Sequence, residues 1–174
     1  HRCCRRQRQM CIRDRKIDIL FLDNDLSDHE EYFDNQTIKE YCETHSFEGE
    51  KNQILSVPPS YSKSQNLTYL VGLGENKVDN NFYDIGTLIG SKIKSDAEIK
   101  FLNFEEEKNL IIDGILYVQY KFNNYKSEDD SSINNITFKD IDSSVNEIKK
   151  DSVFWVRDLI LSLIHISEPT RRLI

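Results

Sequence analysis

The sequence predicts an α/β domain built on a mixed β-sheet flanked by helices. Three observations predict it. Short apolar runs with strand-like alternation recur along the chain, among them Lys16-Ile-Asp-Ile-Leu-Phe-Leu22 and Leu67–Leu73. Between them lie stretches whose apolar residues fall three and four apart, as on the buried stripe of a helix. The two kinds alternate in the order β-α-β-β-α-β-α-β-α, which favours a layered sheet over a bundle or a sandwich. At 174 residues the chain has a one-domain length with room for a sizeable core.

Each element has its own local cause. Lys16–Leu22 alternates and then turns continuously apolar, as a central strand does. Asp23–Asn35 is acidic and loop-like. Thr37–His45 brings Ile38, Tyr41 and Cys42 to one side of a short helix. Gln53–Val57 reads as a strand stopped by Pro58-Pro59, because proline cannot donate to a sheet ladder. Leu67–Leu73 is a strongly apolar strand, closed by Gly74 and a polar turn. Phe82, Ile85, Ile89 and Ile93 form a helical stripe, and Glu98–Phe104 is the next strand. Glu105-Glu106-Glu107 then places acids in the first turn of a helix, where the dipole favours them. That helix is expected to run to about Phe122, with Ile111, Ile115, Val118 and Phe122 on one face and Gly114 allowing close packing. After the polar stretch Asn123–Asn135 comes a short strand, Ile136–Phe138. In the final helix Val145, Ile148, Ser152, Trp155 and Leu159 follow a/d-like spacing, with Ser143 or Ser144 as cap.

Composition divides the chain unevenly. Residues 1–15 hold six arginines, no lysine and one acid, and residues 161–174 hold Arg171, Arg172 and Glu168. Without these ends, 15 basic and 28 acidic residues remain, a net of −13 against −7 for the whole chain. Of those 15, all but Arg157 are lysine. The ends also back-translate into one another. Arg5–Arg15 can be encoded by a string containing AGATGTGTATAAGAGACAG, the reverse complement of CTGTCTCTTATACACATCT, which can open the coding of Leu161–Arg171. An inverted repeat around an insert is the mark of a transposase-based sequencing adapter. Residues 1–15 are therefore expected to be adapter-derived and disordered, and 161–174 an adapter-derived tail. Residues 16–160 would be the native insert, truncated at both ends.

This division decides which motifs to weigh. Cys3, Cys4 and Cys11 fit no standard zinc spacing and fall in the adapter-like end, as does Met10, so the true start is expected elsewhere. Cys42, the one remaining cysteine, reads as an inert core thiol and suits a reducing cytoplasm. His29 and His45 have no partner at helical spacing, and the acid clusters 28–31, 105–107 and 128–130 lack the order of a calcium loop. No metal or catalytic site is expected, and the −13 charge argues against nucleic acid. No run approaches the roughly 20 apolar residues of a membrane helix. Gly72 and Gly74 in "YLVGLGENK" stand where dinucleotide sites form, at a strand end before a helix. The third glycine of that fingerprint is replaced by Lys77. A tight structural turn is the main expectation and a nucleotide cradle the alternative.

Four stretches taken in order resemble a known family: "FEGEKNQILSVP" (Phe47–Pro58), "YLVGLGE" (Tyr69–Glu75), "GILYVQYKFNNYKSE" (Gly114–Glu128) and "VRDLI" (Val156–Ile160). Together they are similar to the N-terminal domain of the leucyl aminopeptidases, also called cytosol aminopeptidases. Two positions depart from the pattern. Glu50 replaces the lysine of F-x-G-K, with Lys51 following, and Leu161 stands where the family continues R-D-L-x-N with asparagine.

The resemblance implies a macro-domain-like α/β module that is not itself catalytic. It further implies a hexameric, cytoplasmic metallopeptidase whose two divalent metals, zinc or manganese, sit in a separate C-terminal domain. No catalytic or metal-binding position of that domain maps onto this sequence. The helix through Arg157 would be the connector to it, and the catalytic domain the principal partner. Two other readings compete: a stand-alone macro-domain-like nucleotide or ADP-ribose binder using Gly72 and Gly74, and a purely structural oligomerisation module.

Overall fold

The computed structural model describes residues 15–22, 32–33, 35–74, 81–104, 107–121 and 134–171. Among the described residues, nine elements follow one another in the predicted order. They are β1 (Arg15–Leu22), α1 (Asn35–Thr44), β2 (Ile54–Val57), β3 (Leu67–Gly72), α2 (Phe82–Lys92), β4 (Ala97–Phe101), α3 (Lys108–Tyr117), β5 (Ile136–Phe138) and α4 (Ser144–Arg171). Of residues 1–15, expected to be disordered, 1–14 lie outside the described residues, whereas Arg15 opens β1, where it pairs with Ala97 of β4.

The strands form one five-stranded mixed sheet in the order β2-β3-β1-β4-β5. β1 lies at its centre, parallel to β3 on one side and to β4 on the other, and β5 adds in parallel to β4. Only β2 runs antiparallel, along β3. Strand alternation divides the core into two layers. Ile17, Ile19 and Phe21 of β1, Tyr69 and Val71 of β3, and Ile99 and Phe101 of β4 face α2 and α3. Leu20, Leu22 and Leu70 point the other way, under Ile38 and Cys42 of α1 and Phe47 beyond it. A side chain buried this fully contributes about 1.5–3 kcal/mol.

Small residues set the spacing of α2 and α3. A Cβ at Gly86 would run into the backbone of Ile111, and one at Gly114 into that of Tyr83 and Gly86. The two helices therefore touch backbone to backbone, as the Gly114 position in the sequence suggested. Asn103 extends the sheet by imitation. Its side-chain amide accepts from Phe21 N at 2.9 Å and donates to Phe21 O at 2.6 Å, taking the place of a strand neighbour just past the end of β4.

Some boundaries differ from the sequence reading, for local reasons. β4 ends at Phe101 rather than Phe104 because Asn103 turns its side chain, not its backbone, to β1. The first helical residue of α3 is Lys108, and no acid lies in its first turn. Glu107 instead precedes the helix in the left-handed region, φ 52°; Glu105 and Glu106 lie outside the described residues. α3 stops at Tyr117, so Val118 is a partly exposed cap residue, and Phe122 lies outside the described residues. At the start of α4, Asp142 accepts the Ser144 amide at 3.0 Å, while Ser143 reaches the Glu147 carboxylate at 3.1 Å. The Ser144 amide bond holds the Asp142 carboxyl below its ordinary pKa.

Candidate functional site

The Gly72–Gly74 turn is held by the segment before β2. Gln53 staples that segment: its Oε1 accepts from Glu48 N and Glu50 N at 3.0 and 3.3 Å, and its Nε2 donates to Ser46 O at 2.6 Å. The stapled loop presses on the glycines so closely that a Cβ at Gly72 would collide with the Glu50 carbonyl. Gly74 sits at φ +73°, in the left-handed region. All three backbone N–H groups of the turn are already engaged. Gly72 donates to Gln53 O at 2.8 Å, Leu73 to Leu22 O at 2.9 Å and Gly74 to Gly49 O at 2.9 Å. An anion cradle needs such groups aimed outward. These glycines are a packing device; Lys77, which stands in the third glycine's place, lies outside the described residues.

A second constellation joins the end of α3 to α4. Arg157 donates to Tyr117 O at 3.2 Å and lies 5.3 Å from the centre of the Tyr120 ring. Tyr120 in turn donates its hydroxyl to Asp158 at 2.7 Å and meets Phe154 edge-on. Burial and the bond to Asp158 push its pKa up to about 12, partly offset by Arg157. About three turns earlier on α4, Asn146 bridges to Asp113 at 2.7 Å and to Asn109 O at 3.1 Å, and Lys149 reaches Asp113 at 3.3 Å. α4 thus docks through Asn146, Phe154, Arg157 and Asp158. The stripe singled out by a/d spacing faces away. Val145, Ile148, Trp155 and Leu159 are exposed, Trp155 by 67%. Val156, Ile160, Leu163 and Ile164 continue this apolar surface along the helix.

The other candidate chemistries do not assemble. Among the described residues no group of three or more His, Cys, Asp or Glu gathers to hold a metal. His45, at the end of α1, packs against the ring of Tyr41. Cys42 is buried, and burial pushes its thiol up to about 11, away from any role as a nucleophile. His29, Cys3, Cys4, Cys11 and the clusters 28–31 and 128–130 lie outside the described residues. Among the described residues no helix is long and apolar enough to cross a membrane.

One polar site escaped the sequence reading. Asp18 projects from β1 to the face that α1 only partly covers, and it is 3% exposed. Its Oδ2 accepts from Ser64 at 2.6 Å and from Asn66 at 3.1 Å. The carboxylate opens on a cavity of about 460 Å³ that Lys16, Lys63, Lys100 and Lys139 also line. The available signal was a charge inside an otherwise apolar strand, Ile17-Asp18-Ile19. Its partners, more than forty residues away, carry no local sign of the pairing.

No family model and no curated protein sequence matches the chain. Among solved structures, it is similar to a mutant of tomato leucine aminopeptidase, with a TM-score of 0.47 and 13% identity over 73% of this chain. The match covers 32% of that protein, so the chain spans about a third of its length.

Proposed function

We propose that residues 16–160 are the N-terminal, non-catalytic domain of a leucyl-aminopeptidase-type enzyme, with peptide hydrolysis carried out by a metal-bearing domain outside this chain. One observation carries the proposal. The four stretches that resemble the family are used in pairs: Gly49–Lys51 packs on Gly72 and Gly74, and Arg157 and Asp158 fasten to Tyr117 and Tyr120. Residues that look family-like are thus the ones that lock the loops and the last helix in place. The exposed apolar face of α4 suits a connector that packs on a following domain. On this reading the parent enzyme is cytoplasmic and hexameric, uses two zinc or manganese ions, and requires neither nucleic acid nor membrane. The residues beyond Ile160 would be adapter-encoded, and the helix through them a result of their apolar codons.

Two measurements test this. Purified chain incubated with leucine p-nitroanilide and manganese or zinc should release no product; metal-stimulated hydrolysis would overturn the proposal. Genomic DNA read across the codons for Lys16 and Ile160 should run on, free of adapter, into segments rich in Asp, Glu and Lys. A stop codon directly after Ile160 would sink the two-domain reading.

A further inference from the structure

The open face of the sheet carries a site that the aminopeptidase reading does not use. Asp18 is almost wholly buried, yet both of its donors, Ser64 and Asn66, go to Oδ2. Oδ1 has no hydrogen-bond donor among the described residues. A buried carboxylate oxygen left in that state is costly and is ordinarily satisfied by solvent or a ligand. Around it the charge inverts. Lys16, Lys63, Lys100 and Lys139 line the cavity against Asp18 and Glu98, a local excess of two positive charges in a chain of net −7. Strand register fixes part of this arrangement, because Lys16 lies beside Glu98 and Asp18 beside Lys100 on adjacent parallel strands. Lys16, Lys100 and Lys139 form no salt bridge among the described residues. The cavity, about 460 Å³, falls in the range of small-molecule sites.

We infer that this basin binds a small phosphorylated sugar, with a sugar hydroxyl donating to Asp18 Oδ1 and the phosphate held by the lysines. The donor offered to Asp18 must be neutral, because an ammonium would enter among four like charges. A hydroxyl meets that demand, and a buried carboxylate reading a ribose hydroxyl is a recurrent arrangement. Several ammonium groups on one rim favour a dianionic phosphate over a single carboxylate. Leu102 and Tyr32 complete the wall and offer carbon and ring surface to the sugar skeleton. The site lies on the face of the sheet, apart from the closed Gly72–Gly74 turn.

Calorimetric titration of the full chain with ribose 5-phosphate, ribose, inorganic phosphate and a neutral dipeptide tests the assignment. Ribose 5-phosphate should bind about tenfold or more tightly than phosphate. Asp18→Asn should abolish that preference while phosphate still binds. Lys100→Glu should weaken both ligands by about tenfold or more, and the affinity should fall with salt. No saturable binding of ribose 5-phosphate, equal affinity for phosphate, or preference for the dipeptide would overturn it. If either variant fails to fold, amide shifts in the unaltered chain decide the matter. Ribose 5-phosphate should move the signals of Lys16–Leu20 and Glu98–Leu102, and shifts confined to Gly72–Gly74 would count against the site. These outcomes are independent of peptide hydrolysis, so this inference and the proposed function can fail separately.

Discussion

Gly72 and Cys42 show how single positions in this fold answer to their surroundings. Any side chain at Gly72 must displace the Glu50 carbonyl, which Gln53 holds in place through its bond to the Glu50 amide. Gly72→Ala should therefore cost about 2–4 kcal/mol, as overpacking against backbone does. Gly74→Ala, strained by its positive φ and by a close but not colliding approach to Lys51 N at 3.3 Å, should cost about 1–2 kcal/mol. Urea unfolding of the two variants measures both, and their order is the informative result. At Cys42, burial raises the folded pKa from 9.0 to about 11. The unfolded chain therefore loses this proton first. The thiol's contribution to stability is complete below pH 9 and drains away as pH rises towards about 11. Melting temperatures across that interval should fall more steeply for the native chain than for Cys42→Ala.

Among the elements, α4 separates what the sequence displayed from what it concealed. All nine elements were legible in order because each follows from local pattern: alternation for the strands, three-and-four spacing for the helices, Pro58-Pro59 for the end of β2. The docking face of α4 was not legible. Apolar spacing picks out Val145, Ile148, Trp155 and Leu159, yet the face that meets α3 is largely polar and is recognised through Asn146, Arg157 and Asp158. Among the described residues of that face, only Phe154 is a buried apolar residue. Pattern reading finds oily stripes and cannot tell which surface will cover them. The Asp18 basin was hidden for a related reason, since its partners come from the loop before β3. Neighbouring aromatics on α4 make the distinction measurable. Phe154→Ala should destabilise the chain by about 3–5 kcal/mol in chemical denaturation, whereas Trp155→Ala should change it by less than about 0.5 kcal/mol. Equal losses would mean that the helix docks by its other face.

For the whole molecule, the question is how much of the chain the fold requires. β1 starts at Arg15, and side-chain bonds from Asn146 to Asp158 fasten α4 to α3 and the residues just beyond it. A chain of residues 16–160 should therefore unfold in one transition, within a few degrees of the full chain, by calorimetry. A collapse of cooperativity on removing 161–174 would show that those residues belong to the fold and would weaken the adapter assignment. The exposed stripe of α4 should also make the isolated chain self-associate at high concentration. Replacing Trp155 and Leu159 with lysine should lower that tendency in sedimentation without loss of stability.

The borders of the sheet bear on the form such association takes. β2 offers four residues before Pro58, which has no N–H to give, and β5 offers three. An incoming backbone would find almost no ladder to copy at either side, so growth by strand addition is short of a template. Crowded molecules should then meet helix to helix, giving reversible clusters that dissolve on dilution instead of fibrils that seed their own spread.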